Sequence, residues 1–407
     1  MKGQRRRRFL ALLALMPLVA VSSMALTGTA SAATLRKATA NGKISGSGVA
    51  TANGKISAPG LVSPSSFTCS ATGSSATTVV TPTGLVSGGS VDNTTAIQNA
   101  INTAGADSGG GIVSLPAGTF MINGHLVMQS KVKLTGVGPA TVLEAGPNFL
   151  STTGTGGGYP IISTAGASNV TIANLTANQS GNTLNGNLSN RLVSYVVEGR
   201  SSTNVVINDV SVINPFTYSI AMVTSSDFCI ENSNVNASAT DGEYNQLDGI
   251  HILDSNNGDV INNVIVSGDD GLVAHSMTAP VYNILYANNL VDGGTVASGL
   301  QFAVGSPYPI YGITVEDNDF YGSGIGIHTG YYGSDPTGSV HNIAMSNNYI
   351  YNILDQVQSI QIGYSGQVGA IKNVTVSNTL LCNAGPVQVQ RGSGNSVTGT
   401  TTTTSCA

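Results

Sequence analysis

The sequence predicts an all-β fold, a right-handed parallel β-helix, from three observations: a strand motif that recurs every 23 to 35 residues, an amphipathic helix ahead of the first copy, and a turn-rich composition. The motif is an alternating β-type run with a polar residue at a fixed place. Its copies are NVTIANLT from 169, NVVINDVSV from 204, DFCIENSNV from 227, DVINNVIV from 259, NILYANNLV from 283, ITVEDNDF from 313, NIAMSNNYI from 342 and NVTVSNTLL from 373. The polar places are Asn174, Asp209, Asn232, Asn263, Asn288, Asn318, Asn347 and Asn378. Alternation points one side of each strand inward, and a coil this short cannot bury that side alone, so coils must stack with parallel strands about 4.8 Å apart. The Asn amides are then expected to hydrogen-bond along the stack at a turn. A propeller needs blades of about 40 residues, longer than the period here.

Solenoids need capped ends. Residues 92–105 place Ala96, Ile97, Ala100, Ile101 and Ala104 at helical spacing, with Asp92 or Asn93 as N-cap, and predict a short helix over the N-terminal end of the core. With 51 Gly, no Trp and 9% charged residues, the chain reads as many short turns around a large apolar interior.

The N-terminus divides the chain into three. Lys2 and Arg5 to Arg8, an apolar stretch from Phe9 to Leu26, and Ala30-Ser31-Ala32 form an export-signal pattern over residues 1–32, with cleavage expected before Ala33. Arg6 and Arg7 also fit a twin-arginine signal, so a Sec or a twin-arginine route to an extracellular location is expected. Residues 33–66 repeat ATANGKIS at 38–45 and 50–57 in a Gly/Ser/Ala-rich stretch of linker composition. Residues 67–407 are the expected β-helix domain. Losing the leader removes five of the 15 Lys and Arg and leaves ten against 20 Asp and Glu, a balance of −10. So acidic a chain is a poor ligand for nucleic acid or an anionic membrane, and a monomer acting on a polysaccharide or oligosaccharide is expected. Cys69, Cys229, Cys382 and Cys406 are expected to pair, with Cys382–Cys406 preferred among three connectivities. Their spacing is not that of a metal site, and neither a metal nor a cofactor is expected.

A second set of aligned segments carries the chemistry: LDGIHI from 247, DDGLVA from 269, SGLQFA from 298 and SGIGIH from 323. Their glycines, Gly249, Gly271, Gly299 and Gly324, are 22, 28 and 25 residues apart, about one coil each. Asp248, Asp269 and Asp270 therefore fall on adjacent coils of one face. One carboxylic acid can protonate a glycosidic oxygen while a carboxylate activates water, and lateral offset between coils is expected to give the roughly 6.5–9.5 Å that inversion requires. Like charges crowded together hold one proton tightly. His251, His275, Ser298, Gln301, His328, Tyr331 and Tyr332 are expected to line the groove and contact sugar. For the histidines the plainer alternative is a surface role, and for the tyrosines loop anchoring. Asp241 and Glu243 lie just before the catalytic coil.

The opening of the helical stack, GGGIVSLPAGTF at 109–120 and KVKLTGVGPATVLEAG at 131–146, resembles the pectin-lyase-like β-helix superfamily, over nearly all the chain from about residue 85. Asp248-Gly249-Ile250 and Gly268-Asp269-Asp270 resemble the catalytic region of the polygalacturonase-type glycoside hydrolases. That resemblance implies Asp269 as general acid, with Asp248 and Asp270 activating water. Three departures stand beside it: Gln246-Leu247-Asp248 replaces Asn-Thr-Asp, Ser298-Gly299 replaces His-Gly, and Gly326-Ile327-His328 replaces Arg-Ile-Lys. The acid machinery is kept and the basic grip on a galacturonate is not, which points to a pectic polymer gripped otherwise or to a neutral glucan. The same series is similar at the motif level to the mycodextranase and α-1,3-glucanase group. A lyase would use an Arg or Lys base, often with Ca²⁺, and residues 201–371 contain no Lys or Arg. A non-catalytic carbohydrate-binding β-helix is the remaining alternative.

Overall fold

A computed structural model describes residues 49–50, 56–57, 67–184, 193–237, 247–305, 307–330, 337–355, 358–363, 369–404 and 406. The expected signal lies outside these residues. Of the expected linker, Val49–Ala50 pairs antiparallel with Ile56–Ser57. From Val79 onward the pairing between strands is parallel, coil upon coil, and the chain forms the expected right-handed parallel β-helix.

One coil shows the plan: a long strand Asn256–Ile261, a short strand Val264–Val266 across a turn, and a third strand Leu272–Ser276. The next coil repeats it with Val281–Ala287, Leu290–Asp292 and Ser298–Val304. The third strands stack into a ten-stranded sheet running from Leu126–Val127 to Val387–Val389. Ile250, Ile252, Leu272, Ala274, Leu300, Phe302, Ile327 and Ile360 point from this sheet into one continuous core. Burial of such apolar columns is the main stabilising term, roughly 1.5–3 kcal/mol for each fully buried aliphatic or Phe side chain.

The capping helix is Thr94–Ala106, two residues later at its start than expected, and it buries Ile97, Ala100, Ile101 and Ala104. Asn93 occupies the N-cap without a capping bond, because its amide is turned to Val86 and Val91. Asp92 does the capping instead, its Oδ1 accepting from Thr94 N at 2.9 Å.

The polar column is two columns, one residue apart. The turn seat, with positive φ, holds Asn174, Asp209, Asn232, Asn262, Asn288, Asp317, Asn347 and Asn378. Asn and Asp tolerate that left-handed backbone better than other non-glycine residues. Asn263 and Asn318, expected in that seat, lie one step on, in a buried ladder with Asn289 and Asn348. In the ladder each Oδ1 accepts from the preceding coil, as Asn289 Oδ1 does from Asn263 N and Nδ2 at 3.0 Å, while Nδ2 returns to a strand carbonyl such as Val260 O at 2.8 Å. The expected hydrogen bonding along the stack is present in this ladder and, at the turn seat, from Asn288 to Asn262.

Both disulfides form among the described cysteines, Cys382–Cys406 as preferred and Cys69–Cys229 with it. The first ties the last residues to the terminal coils, and the second fastens the segment before the helix to the outside of the stack. No described helix is long and apolar enough to cross a membrane.

Candidate active site

Register within the ten-stranded sheet assembles the aspartates. Ile250 pairs with Leu272 and Leu272 with Leu300, so the residues two places earlier, Asp248, Asp270 and Ser298, occupy equivalent positions on three successive coils. Gly249 N donates to Asp270 O, and Gly271 N to Ser298 O. The glycines are needed there: a Cβ on Gly271 would stand 2.2 Å from Val291 Cγ1 and 2.8 Å from Gly299 O. Pairing of Leu300 with Ile327 makes Gly326 the fourth member of this glycine column, correcting Gly324. Coil lengths differ, so spacing alone did not separate the two.

Asp269 is placed by its backbone. Gly268 N and Asp269 N approach Leu247 O, while Asp269 O accepts from Gly294 N at 2.7 Å and from Ser267 Oγ at 2.9 Å. The turn thus presents two consecutive carboxylates. One ligand oxygen from each of Asp248, Asp269 and Asp270 lies within 4.8 Å of the other two. Asp248 and Asp270 share a register position, so these two acids are stacked on successive strands without the lateral offset expected between coils. Such a trio has the chemistry to hold a cation; its other way of relieving charge is to keep a proton. The second cluster of three candidate ligands among the described residues, Cys69, Cys229 and Glu231, has its sulfurs joined in a disulfide.

Burial sets the protonation. Loss of solvent pushes Asp248 up to about 8, partly offset by a backbone hydrogen bond near Asp270. Asp270 rises well above the carboxylate range, first from burial, then from the charges of Asp269 and Asp248, against stabilising bonds from Ser298. Ser298 N reaches Asp270 Oδ1 at 2.8 Å. Burial and mutual repulsion thus both favour a proton kept on the Asp248–Asp270 pair.

His251 is buried beside the trio and uses both ring nitrogens inside the protein. Nδ1 lies 2.8 Å from Asp248 Oδ2, and Nε2 lies 3.2 Å from His275 Nδ1. Burial lowers His251 to about 4, against an opposing pull from Asp254, and lowers His275 to about 3, helped by His251. Burial thus favours the neutral form of both rings. Gln301 and His328 continue the His251 position on later coils, through the pairs Val273 with Gln301 and Gln301 with His328. Gln301 is buried and His328 partly so, with burial lowering His328 to about 4. Tyr331 and Tyr332 lie outside the described residues, as do Asp241 and Glu243.

On the N-terminal side of the trio lie residues that no motif in the sequence marks. Tyr195 stacks on Tyr218 at 5.2 Å between ring centroids, and Tyr218 meets the His251 ring edge to face at 5.2 Å. One coil before the trio, Tyr218-Ser219-Ile220 aligns with Asp248-Gly249-Ile250, a match that the aspartate motif obscured. Glu198, buried, accepts from Arg200 Nε at 2.9 Å and from Ser163 Oγ at 2.9 Å. Arg200 borders a segment without Lys or Arg, and its charge is already paired.

Residues 77–306 match the family described as rhamnogalacturonase A/epimerase, pectate lyase-like. Among solved structures, a hyperthermoactive exopolygalacturonase from Thermotoga maritima is similar at 17% identity, with 81% of this chain and 93% of that one covered and a TM-score of 0.65. The surface protein and adhesin PfbA of Streptococcus pneumoniae matches at 16% identity, covering 79% and 96%, with a TM-score of 0.61. An endo-xylogalacturonan hydrolase from Aspergillus tubingensis matches at 17%, covering 80% and 92%, with a TM-score of 0.56. No curated protein matches in sequence. At these identities the structural matches establish the fold.

Proposed function

Because the chain belongs to the pectate lyase-like rhamnogalacturonase A/epimerase family, we propose that it is an exported glycoside hydrolase that cleaves a polysaccharide with Asp248, Asp269 and Asp270. The observation that carries this reading is the convergence of three acids, from adjacent coils, within 4.8 Å. Asp269 gives a proton to the leaving glycosidic oxygen as its bond to the anomeric carbon breaks. A water held between Asp248 and Asp270 gives up a proton to one of them as its oxygen bonds that carbon. Oxygens of the two lie within 4.8 Å, a span that one water bridges with two ordinary hydrogen bonds even at its upper end.

The substrate is a glycan whose sugars do not each need a basic partner. Residues 201–371 have no Lys or Arg, and Arg200 is engaged by Glu198. A pectic polymer with neutral sugars, or a neutral glucan, fits that surface. The same lack of a basic side chain weighs against a lyase. Export is supported by the leader pattern at 1–32 and by two disulfides, which persist in oxidising compartments.

Acids whose nearest oxygens lie within 4.8 Å are also compatible with one second reading in the same chemistry. Retaining glycosidases hold their carboxyl groups about 5–5.5 Å apart, with one acid attacking carbon directly. The anomer released first, followed by NMR, separates this from inversion. The main test is release of reducing ends from pectic, α-glucan and hemicellulosic polymers by the mature protein and by Asp269→Asn. Loss of release in the variant is expected. Undiminished release refutes the assignment, an unsaturated product indicates a lyase, and inactivity on every polymer favours a binding protein.

A further inference from the structure

The trio is joined to a second structure that sugar cleavage does not by itself require. Asp248 Oδ2, His251 Nδ1, His251 Nε2 and His275 Nδ1 form a continuous hydrogen-bonded line, with steps of 2.8 and 3.2 Å across the ring. We propose that His251 and His275 are a proton relay that orients Asp248 and exchanges its proton with solvent, as positioning residues and not as sugar contacts. The inference rests on the hydrolase reading for its role in turnover, but the relay itself is a property of the folded protein.

Geometry supports each link. Asp248 and His251 are both buried, so Asp248 has little direct solvent contact, whereas His275 is partly exposed. His251 pairs across the sheet with Val273, and Leu253 pairs with His275, so the second ring reaches back to the first from the neighbouring coil. Tyr218, backed by Tyr195, packs against the His251 ring and fixes its plane. Asp254, at the end of the strand bearing His251, accepts from Met277 N, Thr278 N and Ala279 N and pins the turn that follows His275. Gly305 lies beside the outer nitrogen with no side chain, and a Cβ there would stand 3.4 Å from His275 Nε2.

The relay conserves protons. When Asp248 carries one, Oδ2–H donates to His251 Nδ1, His251 Nε2–H donates to His275 Nδ1, and His275 Nε2–H lies beside the exposed Gly305. Transfer breaks these three bonds to hydrogen and forms His251 Nδ1–H, His275 Nδ1–H and a proton on solvent water. Asp248 is left ionised and able to accept from the attacking water. Both imidazoles stay neutral throughout, in keeping with burial lowering both. The charged and titratable groups around the line are Asp254 on the strand of His251, Asp269 and Asp270 on the next coil, and Tyr195, Tyr218, Glu198 and Arg200 on the preceding ones.

The test has two arms. Long-range ¹H–¹⁵N NMR of labelled protein reads the tautomers without any substrate. Both rings are expected to be neutral near pH 7 and to change tautomer together in one titration that Asp248→Asn abolishes. Rings that titrate separately, or a joint change that persists in the variant, overturn the relay whether or not the protein is a hydrolase. The second arm uses the polymer cleaved in the screen. His275→Ala is expected to lower kcat tenfold or more with KM within about twofold, and added imidazole to restore the rate. His275→Gln can still donate to His251 Nε2 but cannot pass a proton on, and it should remain slow. Full activity in the Gln variant, or a raised KM at unchanged kcat, overturns the relay in favour of simple support or of a sugar contact.

Discussion

Asp248→Asn should make the protein less sensitive to alkali, and the size of the effect follows from where the carboxyl sits. Burial raises Asp248 from 3.8 to about 8. A group raised in this way contributes stability that is complete below its unfolded pKa and is lost as pH rises through the folded one. Between those values the folded chain holds a proton that the unfolded chain does not, so stability falls by about 1.4 kcal/mol per pH unit. From pH 6 to pH 8 Asp248 alone accounts for roughly 2 kcal/mol, the slope flattening near 8. Asp270 shares in the titration, and the pair loses its protons in two joint steps, at least one of which disappears in the variant. His251 and His275 act mostly below this window, since a depressed histidine loses its stabilising contribution as pH falls from about 6.5 through the folded value, near 4 and 3 here; the part that overlaps it, just above pH 6, is present in both proteins. Asp292, raised to about 6, and Asp319, raised to about 7, titrate in the window but are common to both proteins. The measurement is urea unfolding followed by far-UV circular dichroism at pH 6 and pH 8. The wild-type protein should lose about 2 kcal/mol more than the variant between the two pH values. Equal losses, within about 0.5 kcal/mol, would mean that Asp248 is hydrated and ionised in the fold, and the electrostatic account of the site would fail.

Three further outcomes follow. Asp270→Asn should lower turnover by about 10²–10⁴, the usual range for losing an acid or base, with an unchanged circular dichroism spectrum; turnover within threefold of wild type would remove Asp270 from the chemistry. Asn318→Leu should cost about 2–4 kcal/mol in urea unfolding, because Tyr286 O, Asn348 Oδ1 and the Asn289 amide each lose a buried partner; a neutral substitution would deny the ladder its structural role. Gly271→Ala should cost about 1–3 kcal/mol from overpacking against Val291 and Gly299 O and should also reduce turnover by displacing Asp270; full activity in a folded variant would break the link between the glycine column and the acids.

The coil repeat, the capping helix and the carboxylates were legible in the chain because each is written in local pattern. Alternating apolar residues, Ile97 and Ile101 four apart, and Asp before Gly-Ile can be read without knowing which strand lies next to which. Register is not local. Asn262 and Asn263 are chemically the same residue, and only pairing decides which takes the left-handed turn and which enters the buried ladder. Gly324 and Gly326 posed the same ambiguity two residues apart. The distance between carboxylates and the contact between His251 and His275, 24 residues apart in sequence, depend on register again. Tyr195 and Tyr218 escaped notice since a tyrosine at a strand start looks like any other until it is aligned with Asp248.

The in-register stacking of the ten-stranded sheet also makes that face a ruler. Its graduations are the coils, repeated at the strand spacing of about 4.8 Å, a length comparable with one sugar unit in an extended glycan. A polymer lying along the axis would meet the Tyr195 coil, the Tyr218 coil, the acids, then Ser298, one unit at a time. If the protein cleaves a glycan as proposed, preference for each sugar would be altered by changing one coil, while the bond that breaks would stay fixed by the coils that carry Asp248 and Asp270.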